Sequence, residues 1–211
     1  MSTENQAEDG QVTRAVGADV AELVAALVHS RQTILPRRLT DPGPDASQQA
    51  LILAAAAAAP DHGQLLPWRL VLVPRSARER LAQVFAQALI ERDPQATPEQ
   101  AEQAREKAYR APLLMLVIGR LHDDNHEVDA SERLISAGCA VQNVLLTAHA
   151  LGFGSALTSG KALKSTVLRR LFGVNGGEEA LCFISVGTVI RQKPVRQRPA
   201  MAQYVSTLPD A

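Results

Sequence analysis

One long apolar helix pattern constrains the fold of this chain more than any other feature. The stretch Ser131–Leu151 is predicted to be helical, and its apolar residues recur along one stripe: Leu134, Gly138, Val141, Leu145 and Ala148. Ile135, Val144 and Leu151 widen this stripe over most of the circumference. A helix of this kind must be covered on several sides, so we expect it at the centre of the protein.

Two other segments also call for burial. The residues Asp45 and Gln48 have capping-box spacing and open a helix that ends in six consecutive alanines, Ala54–Ala59. Ser76 with Glu79 and Thr97 with Gln100 have the same spacing and predict the starts of two further helices. The wholly apolar run Leu113–Ile118 predicts a central strand. Strands and helices mix without regular alternation, which favours an α+β fold with helices on both sides of a mixed central sheet. We expect a polar, disordered tail over residues 1–17 and a single domain over residues 18–211.

The overall charge excludes broad classes of partner. The chain has 22 Lys+Arg and 22 Asp+Glu, so it offers no general support for binding nucleic acid or an acidic membrane surface. Cys139 and Cys182 each lie in an apolar run, which indicates buried thiols in a reducing compartment. The N-terminus has no signal-peptide pattern and no run is long enough to span a membrane, so a cytoplasmic location is expected.

Two local basic segments interrupt this neutral background. One begins at Arg31-Gln32-Thr33 and the other ends with Arg196 and Arg198. A solvated loop would explain each segment, and for the first segment the spacing alone favours that interpretation. Together the two segments can also form a phosphate site. Between them lies the loop Ala59–Arg69, in which prolines stiffen the chain on both sides of His62.

Other patterns are weaker. His122, Asp123, Asp124, His126 and Glu127 are metal-ligand types, but nothing in residues 120–130 supplies rigid geometry, so we predict no metal site. Gly152 and Gly154 follow a helix instead of a strand, which argues against a dinucleotide-binding fingerprint.

Several short motifs occur in a characteristic order. They are Arg31-Gln32-Thr33, Pro42-Gly43-Pro44, Ala59-Pro60-Asp61-His62-Gly63, Pro67-Trp68, Ala108–Pro112, Glu132 with Ser136–Asn143, Gly152-Phe153-Gly154 and Gly187-Thr188. In this order the chain resembles the nitroreductase family of FMN-dependent NAD(P)H oxidoreductases, in its short branch. The resemblance extends from about Val20 to Tyr204.

This resemblance implies a fold, a cofactor and a set of site residues. It implies a nitroreductase-like sandwich that forms a domain-entwined homodimer, with FMN at the subunit interface. Residues matching the family's FMN-binding segments are Arg31, Gln32, Thr33, His62, Leu157, Thr158, Ser159, Arg196 and Arg198. The arginines are expected at the phosphate, residues 157–159 against the isoalloxazine, and His62 at the cofactor of the other subunit. No catalytic residue is predicted, because the flavin itself carries the chemistry.

The implied reaction is ping-pong hydride transfer from NAD(P)H through flavin N5 to a nitroaromatic, a quinone or a similar small acceptor. The alternatives are specialised flavin or aromatic-metabolite chemistry, and a flavin-binding dimer with little turnover. Two departures bear on this choice: Arg-Gln-Thr stands where the family has Arg-Arg-Ser, and Leu157 stands where the short branch can carry Trp. The acceptor and the preference for NADH or NADPH stay open.

Overall fold

A five-stranded sheet organises the protein. In the computed structural model, which describes residues 18–122, 127–191, 194 and 197–209, the strands are β1 (Leu39–Thr40), β2 (Trp68–Leu72), β3 (Leu113–Arg120), β4 (Gly154–Thr158) and β5 (Glu178–Val189). The long strand β5 pairs with β3 along one edge and with β4 and β1 along the other, and β2 pairs with the outer edge of β3. All of these ladders are antiparallel, and one isolated parallel bridge joins Thr33 to Ser155.

Helices cover both faces of the sheet. They are α1 (Ala18–Ser30), α2 (Ala46–Ala54), α3 (Arg78–Arg92), α4 (Pro98–Glu106), α5 (Ala130–Ala150) and α6 (Thr166–Leu171). Because side chains alternate along a strand, β3 sends Met115 and Val117 into a core with α2 and α5. Leu116 and Ile118 enter a second core on the opposite face, with α3 and α6. A strand buried on both faces must be apolar at every position, which explains the run Leu113–Ile118.

The α+β class and the helix-flanked sheet are therefore confirmed. The expected mixed sheet is corrected, because every ladder between the named strands is antiparallel. The capping boxes at Asp45 with Gln48 and at Thr97 with Gln100 are both formed. A third capping box, expected at Ser76 with Glu79, is absent: α3 begins at Arg78 after a 3-10 turn and has no side-chain cap. The Glu79 carboxylate instead accepts hydrogen bonds from Tyr109 (2.6 Å) and from Gln83 (3.1 Å).

The helix α5 meets the sheet with only part of its surface. Ala137, Val144 and Ala148 are fully buried against β3 and β5. Leu134 and Ile135 keep 48% and 67% of their surface exposed in the single chain. The expected burial on most sides is thus incomplete unless something else covers this face.

An ion pair links the outer strand β2 to β5. Arg69 donates through Nε to Glu178 Oε1 (2.8 Å) and through Nη2 to Oε2 (2.9 Å), and Nη2 also reaches the carbonyl of Gly173 (2.9 Å). Only 10% of the Glu178 side chain is exposed, so water screens the pair weakly. The hydrogen bonds from Arg69 are the main reason that the pKa of Glu178 falls to about 2.

Replacing this carboxylate tests its contribution. We expect Glu178→Gln to lower the free energy of unfolding at pH 7 by about 2 kcal/mol, because an ion pair of low exposure is lost. Since the folded-state pKa lies below the unfolded value of 4.5, the contribution is present above about pH 4.5 and disappears as the pH falls towards 2. Urea titrations at pH 7 and pH 3 measure the difference. Glu179→Gln, at an exposed neighbouring carboxylate, is the control.

Candidate active site

Two arginines from distant parts of the sequence meet at the end of α1. The last carbonyl groups of a helix lack partners within the helix. Arg198 fills this gap, because its Nη2 donates to the carbonyls of Arg31 (2.7 Å) and His29 (3.2 Å). The C-terminal basic segment is thereby placed beside Arg31, as the two basic loops suggested. Arg196 lies outside the described residues, and its role stays a prediction.

This cluster holds positive charge without a carboxylate. Among the residues that the structure describes, neither Arg31 nor Arg198 forms an ion pair. Burial, and then the charge of Arg198, lower the pKa of Arg31. His149, at the end of α5, lies with Nε2 2.8 Å from Ser30 Oγ. Burial, followed by the charge of Arg31, lowers the pKa of His149, so its imidazole is neutral at pH 7. An uncompensated pair of guanidinium groups beside a neutral imidazole suits a bound anion.

The segment that follows Arg31 runs from this cluster to a cavity. Thr33 forms the bridge to Ser155, and Ile34 N donates to the Ser155 carbonyl at 2.9 Å, which docks the segment on β4. Leu35, Pro36 and Arg37 then line a cavity of about 810 Å³. The pair Arg31 and Arg198, called the anion cluster below, and the cavity therefore lie at the two ends of residues 31–37.

The cavity has a largely apolar floor and a cationic lining. Leu114, Phe183 and Ser185 from the central strands contribute to the floor. Its cationic residues are Arg37, Arg92, Lys107, Arg110 and Lys161, against one carboxylate, that of Asp93. Its volume is typical of a site for a small organic molecule. Such a lining favours a ligand that carries or acquires negative charge.

Of the three residues 157–159 predicted to contact the flavin ring, two line this cavity and one does not. Thr158 and Ser159 line it. Leu157 has 44% of its surface exposed and is not among the lining residues, as strand alternation from Thr158 requires. The contacts of residues 157–159 with a cofactor stay predictions.

Sequence reasoning missed several lining residues. Lys107, Arg110 and Lys161 are single charges in segments with no distinctive pattern. Ser185 was detectable, since it is a hydroxyl within the otherwise apolar run Leu181–Val186. It is 3% exposed and lines the cavity. A buried hydroxyl in a cavity wall is available to a ligand.

The loop that carries His62 is held in a constrained shape. The Asp61 carboxylate accepts hydrogen bonds from the backbone N–H groups of Leu65 (3.1 Å) and Leu66 (2.8 Å). Gln64 and Leu66 have φ values of 54° and 47°, which are unfavourable for residues with a side chain. Strain of this kind, supported by specific hydrogen bonds, is concentrated at functional sites.

His62 lies far from Arg31 within one chain. His62 Nδ1 is 3.1 Å from Glu132 Oε2 in the first turn of α5, with both side chains more than half exposed. His149, beside the arginine cluster, is in the last turn of the same helix. At about 1.5 Å of rise per residue, these two positions on α5 lie about 25 Å apart. Within one chain, His62 and Arg31 therefore lie near opposite ends of α5.

The described ranges contain no group of three or more His, Cys, Asp or Glu side chains that could hold a metal ion. Asp123, Asp124 and His126 lie outside those ranges. No helix in the described part of the chain is long and apolar enough to cross a membrane.

Comparison with known proteins places this α+β architecture in a family. Residues 28–188 match the sequence profile described as the Nitroreductase family. The chain therefore belongs to the nitroreductase family, a family of oxidoreductases, and the resemblance stated from its motifs is confirmed.

Individual relatives agree with this assignment. The chain is 34% identical over 151 residues to the Escherichia coli K12 protein named "Putative NAD(P)H nitroreductase YdjA", covering 72% of this chain and 81% of the relative. A Haemophilus influenzae protein named "Putative NAD(P)H nitroreductase" is 32% identical over 152 residues, or 72% and 82% of the two chains.

Solved structures share the fold. A nitroreductase-like protein of Bacillus cereus superposes with a TM-score of 0.76 at 17% identity, covering 88% of this chain and 95% of that one. The FMN-dependent nitroreductase NfnB of Mycobacterium smegmatis, solved with NADPH, superposes with a TM-score of 0.70 at 16% identity, covering 90% of this chain and 100% of that one.

Sulfate tests the anion cluster without any cofactor. We expect sulfate to raise the melting temperature of flavin-free wild-type protein more than that of Arg31→Ala, because binding at Arg31 adds to the general stabilisation that sulfate gives both proteins. A bound anion favours the protonated form of His149, so the stabilisation should be larger at pH 5.5 than at pH 7.5. Arg80→Gln, at an exposed cation on α3, is the control. An equal shift in Arg31→Ala and wild type would contradict the assignment.

Proposed function

We propose that the protein is an FMN-dependent oxidoreductase that transfers hydride from NAD(P)H, through flavin N5, to a nitroaromatic, a quinone or a similar small acceptor in ping-pong fashion. The observation that carries this proposal is the placement of an anion cluster and a cation-lined cavity at the two ends of residues 31–37. The names of the curated relatives point in the same direction.

The residues present fit this cofactor. FMN consists of a phosphate, a five-carbon chain and a planar ring. Arg31 and Arg198 would hold the phosphate by charge-assisted hydrogen bonds. We assign Arg196 to the same phosphate from the sequence. Gln32 and Thr33, next to Arg31 on the docked segment, supply polar groups for the connecting chain. Thr158 and Ser159 line the cavity that would receive the ring, with Leu157 adjoining them on β4.

The chemistry is divided between cofactor and protein. When bound, FMN would supply the hydride and electron chemistry, at N5 of its ring. The protein binds and orients it, and the charges of Lys107, Arg110 and Lys161 favour the electron-rich, reduced ring. No side chain is assigned as a catalytic acid or base.

A homodimer would reconcile His62 with the remaining site residues. A second copy of the chain can bring its own His62 loop to a cofactor that the first copy holds through Arg31. Apolar side chains on the outer helices would be buried in the same assembly: Leu23, Val24, Leu51, Leu134 and Ile135 are 48% to 69% exposed in the single chain. Two-fold symmetry then gives two equivalent sites. We also expect the cytoplasmic location indicated by the sequence.

Flavin retention tests the proposal most directly. The purified wild-type protein should be yellow and should oxidise NAD(P)H when a quinone or a nitroaromatic compound is supplied. Arg31→Ala should weaken FMN binding by at least about tenfold, because a charge-assisted hydrogen bond to the phosphate is lost. Flavin absorbance after gel filtration measures retention, with Arg80→Gln as the control.

Three results would count against the proposal. A wild-type protein that cannot be reconstituted with FMN would overturn it. Arg31→Ala that stays as yellow as the wild type would overturn the phosphate assignment. Retained FMN without NAD(P)H oxidation would favour the flavin-binding alternative.

Mixed dimers test whether the site is shared. If Arg31 and His62 of one site come from different chains, a dimer of one Arg31→Ala chain and one His62→Ala chain has one intact site. Random pairing of the two variants should then restore about a quarter of the wild-type sites. Turnover after co-refolding measures this recovery. If both single variants are inactive and mixing them restores no turnover, Arg31 and His62 of each site belong to the same chain.

A further inference from the structure

A second opening continues the cofactor cavity. This groove has a volume of about 1000 Å³ and lies between the end of α3, residues 159–166 and β5. It shares part of its wall with the cavity: Arg92, Ser159, Gly160, Lys161 and Leu163 line both. A Cβ atom added at Gly160, in the shared wall, would meet nothing within 4 Å.

The groove carries positive charge that the protein does not neutralise. Arg92, Lys161 and Lys164 line it and form no ion pair with any described residue. A fourth cation, Arg169, donates to the carbonyls of Glu178 (3.2 Å) and Asn175 (2.9 Å).

Two carboxylates, those of Glu91 and Glu179, also line the groove. Glu91 accepts a hydrogen bond from Gln87 (2.9 Å) and is thus engaged within α3. Positive charge that is left over in a concave surface attracts an anionic ligand.

We propose that this groove binds the phosphate groups of the nicotinamide electron donor. The inference rests on the proposed function. The donor's reactive ring must reach the cavity, while its phosphates and adenosine extend beyond a ring-sized space. The shared wall at Ser159–Lys161 leads from the cavity directly into the cationic groove. Small neutral acceptors have no group that needs these charges.

The chemistry of the side chains suits phosphate. Lys161 and Lys164 are exposed ammonium groups on flexible stems, which act as adjustable point charges for phosphate oxygens. Lys164 lines the groove but not the cavity, so replacing it leaves the cavity wall unchanged. It therefore separates donor binding from flavin binding.

Equilibrium binding to the flavin-loaded protein is the first test. Adenosine 2′,5′-bisphosphate serves as a phosphate-bearing probe and adenosine as its neutral counterpart, both measured by calorimetry. We expect Lys164→Gln to weaken binding of the bisphosphate about threefold and K161Q/K164Q about tenfold, with little effect on adenosine. R80Q/R170Q removes two exposed cations that line neither space and should behave like the wild type.

Steady-state kinetics then identify the phosphate concerned. A rise in KM for NADPH alone in Lys164→Gln, at a residue that lines only the groove, assigns the groove to the 2′-phosphate, and a rise for both NADPH and NADH assigns it to the diphosphate; either supports the proposal. Unchanged KM values and unchanged bisphosphate binding would overturn it. The proposal would also be overturned if the variant raised the KM of the anionic acceptor 4-nitrobenzoate and of neither donor nor the neutral acceptor 4-nitrobenzyl alcohol. The groove would then bind the carboxylate of the acceptor. A failure of the proposed function is seen separately, as missing flavin absorbance or missing turnover in the wild type.

Discussion

The antiparallel pairing of β3 with β5 is the interaction on which the remaining structure depends. It joins segments that lie more than fifty residues apart in sequence and buries both of their faces, so that one core forms under α5 and another under α3. The other edge of β5 carries β4, and β4 in turn holds the segment that begins at Arg31. The floor of the cavity comes from β3 and β5 themselves, through Leu114 and Ser185. The anion cluster and the cavity are thus positioned by one set of backbone hydrogen bonds.

Charge is distributed unevenly over this neutral chain. Some cations meet carboxylates, as Arg69 meets Glu178 across the sheet. Around residues 31–37 and 158–164 they do not, and Arg31 even lies beside a second guanidinium group. Holding like charges together costs free energy unless an anion joins them. A chain with balanced totals can therefore bind anions strongly at one place, and the net charge carries no information about this.

Much of the fold followed from local sequence patterns, and the site followed only in part. The apolar run Leu113–Ile118 and the capping boxes at Asp45 and Thr97 depend on neighbouring residues, so the sequence predicted them. No cap forms at Ser76, which lies inside a 3-10 turn, and the Glu79 carboxylate binds Tyr109, thirty residues away. Lys107 and Lys161 became lining residues only when α4, β4 and the turn after β4 came together, which no spacing rule encodes. The meeting of Arg31 with Arg198 was anticipated because both lie in unusually basic loops, whereas the participation of His149 depends on where α5 ends.

The length of α5 sets the distance between the His62 loop and the cluster of Arg31 and Arg198, and therefore constrains the proposed dimer. One end of this helix carries the partner of His62 and the other end lies beside the anion cluster. Adding or removing a single residue would rotate one end relative to the other by about 100° and shift it by about 1.5 Å. In the proposed homodimer, both shared sites would then be misaligned at once. The loops around the cavity can change residue by residue, whereas a change in the length of α5 would alter the geometry of that proposed dimer.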